Sequence, residues 1–525
     1  MITKARFVDG LAAPIPWSAD LRRMAVRFGN KTAVTDGRER LSYSELSGRA
    51  HALAARLLAL GVGTGKPVAT LLPNGLAAVW ACYGIRLTGA AETPLNWNST
   101  DDEIAWSAGL AGFRIIVTTQ RDRAERLRTL GLEPLLVDLI SDTDSGTTLA
   151  SVPAHAWGRI IFTSGTTGKP KCAIYTHERR WIGEQLLKAS LPFTPSPGLR
   201  ILLMTPFTHG ASLLTFSWCD YGGEVILLDG VDTTRIRDLL RERVDAMFAP
   251  PTVLAKLAAA FGDEHFSGVR CVFTGTQPLT PSLYEKALAM FGPVLRITFG
   301  KTECVNPITV LGPDDAHTHY MQEESVGGTC VGWAASGVEL GIHPVAEPHG
   351  NADNTEGIGE LWVRAPHMSI GMIEAQGFRP HAPDGWHQTG DLGRFDASGR
   401  LWLTGRMADV IKTGGYRVNP EEIEACLAGI DRCGQVLVTS LPSDYWGEVI
   451  VAVTEAAGSG WDDEAATRVN KLSRHKRPRA YLNLAALPRN PQGKVSRRQA
   501  RELILATHHF VDGPYPTLSA KIPTS

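Results

Sequence analysis

A run of hydroxyls, glycines and lysines, Thr163-Ser164-Gly165-Thr166-Thr167-Gly168-Lys169-Pro170-Lys171, follows directly on the apolar segment Arg159 to Phe162. This composition suits a polyphosphate. Glycine-permitted turns aim N–H groups at phosphate oxygens, the hydroxyls donate further hydrogen bonds, and the ammonium groups offset negative charge. The spacing is not that of a Walker A loop, which has four residues between its glycines and a hydroxyl residue after the lysine; here two intervene and Pro170 follows Lys169. Taken alone, the segment also reads as a surface loop rich in Gly and Thr.

Three more segments narrow the reading. Phe299-Gly300-Lys301-Thr302-Glu303 follows the apolar run Val294 to Ile297, and Trp386-His387-Gln388-Thr389-Gly390-Asp391-Leu392-Gly393 leads into Leu403-Thr404-Gly405-Arg406. Asn490-Pro491-Gln492-Gly493-Lys494 lies near the C-terminus. In this order, and over nearly the whole chain, the set resembles the adenylate-forming superfamily of acyl-CoA synthetases, peptide-synthetase adenylation domains and luciferases. The resemblance implies an α/β fold. Residues 1–406 would form a large N-terminal domain of parallel-type sheets covered by helices, plus a β subdomain, that binds AMP and the acyl group. Residues 407–525 would form a small, mobile C-terminal α+β domain.

The implied chemistry explains the residue types. When a carboxylate attacks the α-phosphorus of ATP two anions meet, and the departing pyrophosphate gains negative charge, so cations must offset the repulsion. Lys494 matches the family's C-terminal catalytic lysine and would bridge the carboxylate and the α-phosphate. Glu303 would ligate Mg²⁺, which favours carboxylate and phosphate oxygens, and Thr302 would donate to the α-phosphate. Asp391 can accept from both ribose hydroxyls, with Arg406 reaching the same sugar. Gly275, Thr276 and Gln277, after a predicted strand at Val269 to Phe273, would contact the nucleotide together with Phe299, Gly300 and the loop from Thr163 to Lys169. Gly414 and Gly415 would leave room for the pantetheine arm of coenzyme A. His209 resembles the side chain that gates the acyl pocket, whose walls are expected from His209 to Phe216, Phe248 to Thr252 and Phe299 to Pro307. Leu213, Leu214 and Phe216 would make that pocket apolar. No arginine lies in those segments, so a diacid finds no second anchor there.

Several positions depart from the family pattern. Gln277 and Cys172 replace smaller residues, and Ala408 stands where the interdomain pivot is normally Asp or Lys, with Asp409 next. Lys301 replaces a neutral residue; it is expected to point to solvent or to touch a polar group on the acid. Arg474, Lys476, Arg477 and Arg479 could meet the phosphates of coenzyme A or form a solvated charge run.

Composition sets the outer bounds. At 525 residues the chain exceeds one ordinary core. Lys plus Arg is 53 against 54 for Asp plus Glu, so no field exists to hold nucleic acid or an anionic membrane. The eight cysteines include no C-x-x-C pair, which argues against a disulfide framework and for a reducing compartment. No apolar stretch approaches a membrane span and no signal peptide is visible. The expectation is a cytoplasmic protein, monomer or homodimer, that acts on a fatty, alicyclic or aromatic carboxylic acid. The first reading of function is an ATP-dependent acid:CoA ligase using Mg²⁺; the alternatives are an enzyme loading a separate carrier protein and a non-catalytic nucleotide-binding module.

Local signals place the elements. Ser42-Tyr43-Ser44-Glu45 makes a capping box for a helix with Leu46, Leu53, Leu57 and Leu60 on one stripe, ended by Gly61. Strands are predicted at Val68 to Leu72, Arg114 to Thr119, Leu135 to Val137, Val225 to Leu228 and Val294 to Ile297. Beyond Arg406, Asn419-Pro420-Glu421-Glu422 predicts a second capping box, with Ile423, Leu427 and Ile430 buried. Strands follow at Val436 to Thr439 and Val449 to Val453.

Overall fold

The short β-branched runs of the sequence assemble into two large, mostly parallel sheets. A computed structural model of the protein describes residues 13–139, 149, 151–163, 171–322, 328–345, 357–430, 434–455, 458, 460–489 and 494–521, without the side chains of Leu139, Thr163, His209 and Arg417. In the first sheet Glu133–Leu136, Ile115–Thr118, Pro67–Leu71, Ala91–Pro94 and Trp157–Thr163 are parallel neighbours. Lys171–Thr176, Gly371–Glu374 and Gly377–Pro380 extend it antiparallel. In the second, Leu295–Thr298, Cys271–Gly275, Ala246–Phe248, Arg200–Leu203, Glu224–Leu227 and Thr32–Thr35 run parallel, and Arg40–Ser42 closes the edge antiparallel. The helix Leu76–Leu87, apolar but for Arg86, is buried on nearly every side in a core shared with residues of both sheets.

A third sheet is wholly antiparallel, in the order Thr309–Val310, Thr329–Ala334, Leu401–Arg406, His387–Phe395, Gly359–Arg364, Glu339–His343. It ends at Arg406, and a C-terminal unit with its own cores begins at Ile411. The strands Ile411–Thr413, Tyr416–Val418, Val436–Ser443, Gly447–Glu455 and Ala480–Leu484 form its sheet, packed against the helices Pro420–Leu427 and Arg497–Thr507. The α/β class, with a larger N-terminal and a smaller C-terminal part, is therefore as the sequence implies.

Both caps read from sequence start helices, but only one is a full capping box. At Ser42 the hydroxyl accepts from the Glu45 N–H and the Glu45 carboxylate accepts from the Ser42 N–H. At Asn419 the side chain accepts from the Glu421 N–H, while Glu422 turns away to pair with Lys476 at 2.8 Å. A lysine across the small unit outcompetes the local backbone donor.

The strand that leads into the phosphate-loop sequence is held by a buried charge cluster. Glu92, 1% exposed, lies 3.2 Å from Arg180 and 3.7 Å from Arg159 of Trp157–Thr163. Arg159 also donates to the Ser212 hydroxyl at 2.9 Å and to the Thr208 carbonyl at 3.3 Å, tying the strand to the turn that carries His209. Removing one member of such a buried group leaves uncompensated charge, which costs about 3–5 kcal/mol. Glu92→Gln is expected to lower the unfolding free energy of the larger part by that order, read as a lower denaturant midpoint at unchanged slope; an unchanged midpoint would show that the cluster does not hold this strand.

Candidate active site

Strand register brings the first two expected site residues together. Asp391 of His387–Phe395 pairs directly with Arg406 of Leu401–Arg406 across the antiparallel ladder. The Arg406 Nε lies 3.1 Å from one carboxylate oxygen of Asp391. The other oxygen accepts from the Lys301 ammonium at 2.8 Å, and that ammonium also donates to the Thr389 carbonyl at 2.6 Å. Lys301 therefore does not point to solvent; its side chain is 15% exposed and that of Asp391 7%. A buried carboxylate needs a partner, and this lysine supplies one from the turn after Leu295–Thr298.

Lys494 joins the same cluster from the small unit. Burial pushes its ammonium down to about 8, with repulsion from Arg406 and Lys301 adding to the effect and attraction to Asp391 opposing it. Within the small unit Arg497 pairs with Glu421 at 3.0 Å and Glu424 at 2.7 Å, and it reaches Asp409 of the junction at 2.8 Å. Asp409 lies in the turn Met407–Asp409 just past Arg406. Ala408 has no side chain able to take this part, so Asp409 carries the ionic contact beside the junction. Asn419 also donates to the Thr404 carbonyl, closing the joint from the other side. Burial pushes the Glu424 carboxyl up to about 7, against the pull of Arg497.

The turn Phe299 to Glu303 is fixed by its backbone. The Tyr175 hydroxyl donates to the Thr302 carbonyl at 2.6 Å, and the Ser369 N–H donates to the Glu303 carbonyl at 2.9 Å. Gly300 passes so close to Asn306 that a Cβ would meet its side-chain oxygen at 2.4 Å, so a larger residue would have to displace that amide. The Glu303 carboxylate has no ion-pair partner among the described residues. Next to the turn, Thr276 holds a φ of 70°, an uncommon conformation for a non-glycine residue, and Gly275 packs against the Thr298 carbonyl. Two histidines that sequence reading passed over sit nearby with ring centroids 5.1 Å apart: His381, which hydrogen-bonds the Ser369 hydroxyl at 2.6 Å, and His387. Burial pushes both down to about 4, so near neutral pH they bring no charge to the site.

Other expected residues lie elsewhere or outside the description. Ser164 to Pro170, which include Gly165, Thr166, Thr167, Gly168 and Lys169, are outside the described residues, as are the side chains of Thr163 and His209. Lys171 pairs with Glu374 at 3.0 Å, and Cys172 lies within the strand Lys171–Thr176. Gly414 and Gly415 form the turn between Ile411–Thr413 and Tyr416–Val418, with φ values of 57° and 84°, and Gly414 packs on Trp446. Most of the basic cluster is engaged within the chain. Lys476 pairs with Glu422, Arg477 donates to carbonyls at Asn470 and Leu472, and Arg479 stacks 3.6 Å from the Trp446 ring centroid.

A small cleft lies among some of the residues expected around the acyl group. Leu213, Leu214, Phe248 and Asn306 line it together with Leu187, Gly210, Phe273 and Thr298. Phe216 does not; it packs into the core against Tyr83 and Phe207. Arg296, from outside the three expected wall segments, lines this cleft as well. The signal was present in sequence as a single charged residue inside an otherwise apolar predicted strand, Val294 to Ile297.

Similarity to known proteins agrees with this geometry. The chain is 26% identical over 496 residues to the 2-succinylbenzoate–CoA ligase of Bacillus cereus, covering 92% of this chain and 98% of that protein. It is 26% identical over 491 residues to the long-chain-fatty-acid–CoA ligase FadD13 of Mycobacterium tuberculosis, covering 89% and 94%. The fold matches that of o-succinylbenzoate CoA synthetase (MenE) from Bacillus subtilis, solved with its acyl-adenylate intermediate, with a TM-score of 0.78, 23% identity, and coverage of 93% of this chain and 98% of that one. Among the described residues no helix is long and apolar enough to cross a membrane. A family model described as AMP-binding enzyme matches residues 21–372, and the chain belongs to that family.

Proposed function

We propose that the protein is an AMP-forming acid–thiol ligase. A carboxylate oxygen of the acid attacks the α-phosphorus of ATP and pyrophosphate leaves; the thiol sulfur of coenzyme A then attacks the acyl carbon and AMP leaves. The observation that carries this reading is the pairing of Lys301 and Arg406 with the buried carboxylate of Asp391, in a cluster whose charges also act on Lys494. The relatives that match over most of their length are named as CoA ligases, and one structural neighbour was solved with an acyl-adenylate.

In this reading each group has a defined task. Asp391 accepts from the ribose hydroxyls, using acceptor positions that Lys301 and Arg406 leave over on its two oxygens. Lys494 lies between acid and α-phosphate; an ammonium about 4 Å from a charged oxygen contributes roughly 4 kcal/mol at an effective dielectric near 20, about three powers of ten in rate. Thr302 donates to the same phosphate, and Thr163 to Lys169 supply donors for the departing pyrophosphate. Glu303, a half-buried carboxylate without an ion-pair partner among the described residues, fits a Mg²⁺ ligand. The ion, when bound, offsets charge on the phosphates. Gly275, Thr276 and Gln277 flank the adenine, His209 stands at the mouth of the acyl cleft, and Gly414 and Gly415 receive the pantetheine after the small unit rotates.

Acid, ATP and coenzyme A supplied together are expected to yield pyrophosphate, AMP and a thioester in equal amounts for some member of a broad acid panel. Absence of pyrophosphate exchange with every acid would remove the proposal. The site also sets a pH dependence. Lys494 loses its proton as pH rises through about 8 in the free protein, so kcat/KM for exchange, which reports free-enzyme groups, is expected to fall above that pH. Lys301→Met removes a repelling cation and loosens Asp391. The alkaline limb should then move upward while KM for ATP rises. A limb and KM left at their original values would contradict the role given to Lys301.

A further inference from the structure

The buried arginines of this chain follow a rule with one exception. Arg86 pairs with Glu184 at 2.8 Å, Arg123 pairs with Asp101, and Arg159 and Arg180 share Glu92. Arg296, only 2% exposed, has no carboxylate partner among the described residues. Its terminal nitrogen Nη2 donates to the Ser190 carbonyl at 3.1 Å and hydroxyl at 3.0 Å, and its guanidinium stands 5.2 Å from the centre of the Phe273 ring. Its Nε has no hydrogen-bond partner. The Ser190 carbonyl ends the helix His177–Ala189 and offers at most the partial charge of a helix terminus, about half an elementary charge. A buried cation with a vacant donor is costly unless something else compensates it.

The cleft supplies the place for that compensation. Arg296 lines it beside Leu187, Leu213, Leu214, Phe248 and Thr298. It is narrow, with about 20 Å³ of free volume, so an entering acid has to displace lining side chains. Arg296 and Thr298 lie on one face of the strand, roughly 7 Å apart along it. Arg296 is thus on the far side of Thr298 from the Phe299 to Glu303 turn. A larger cavity of about 220 Å³, between the helices Trp17–Phe28 and His177–Ala189, offers no comparable demand. The charges lining it, Arg86 with Glu184, Lys188 with Asp220 and Arg23 with Asp20, are already paired.

We propose that Arg296 sets the acid specificity, and that the substrate is a dicarboxylic acid whose distal carboxylate docks on the guanidinium while its proximal carboxylate is adenylated. The inference rests on the ligase reading above and narrows it. The apolar lining holds the body of the acid, and the distal carboxylate becomes the counter-ion that the fold withholds from Arg296.

The test compares matched acids by ATP–pyrophosphate exchange: succinate, glutarate, adipate and pimelate against butyrate, valerate, hexanoate and heptanoate, and terephthalate against 4-methylbenzoate. At least one diacid is expected to exceed its monoacid partner by about ten-fold or more in kcat/KM. Arg296→Met should invert that ratio, and Arg296→Lys should restore part of it. Thermal melts with and without AMP establish that each variant folds; if Arg296→Met does not, the wild-type ratios still decide. Monoacids used as well as or better than every diacid would overturn this inference alone, and so would an uncharged distal amide performing as well as the carboxylate. Exchange with no acid at all would instead remove the ligase reading beneath it.

Discussion

One buried carboxylate, Asp391, organises the candidate site. Its two oxygens are engaged by cations from different parts of the chain, Lys301 from the turn after a parallel strand and Arg406 from the neighbouring antiparallel strand. A third cation, Lys494, arrives from the C-terminal unit and is attracted by the same carboxylate while the other two repel it. The result is a cluster with more positive than negative charge in a partly dry place. Such an excess is unfavourable in isolation and becomes favourable when a nucleotide and a carboxylate enter.

The joint between the two parts of the chain keeps that cluster assembled. Arg497 gathers Asp409, Glu421 and Glu424, and Asn419 reaches back to Thr404, one residue before Gly405 and Arg406. Burial pushes the Glu424 carboxyl up to about 7 despite the adjacent guanidinium. The contacts reaching beyond the small unit here are polar, the Arg497–Asp409 ion pair at the junction and the Asn419 hydrogen bond to the Thr404 carbonyl.

What could be read from sequence was what is local. The Ser42–Glu45 capping box, the strands near Val68, Ile115, Val225 and Leu295, and the apolar stripe of Ile423, Leu427 and Ile430 depend on neighbours a few residues away. The partners of Lys301 and Glu422 depend on register and docking. Asp391 is far from Lys301 in sequence and Lys476 far from Glu422, so neither contact leaves a local trace. Phe216 was taken as a cleft residue because it follows Leu213 and Leu214, but the helix turns it into the core. Arg296 was passed over because its strand read as apolar, although a lone charge there was the clue to a cleft with a buried cation.

The central claim is that Lys494 acts in the first half-reaction through its charge and is not needed for the second. The most direct measurement compares Lys494→Met with the wild type in both halves, using ATP–pyrophosphate exchange for the first and thioester formation from a presynthesised acyl-adenylate for the second. Exchange is expected to fall about a thousand-fold while the thioester step stays near its wild-type rate. Exchange that survives the substitution, or equal loss in both halves, would contradict the account.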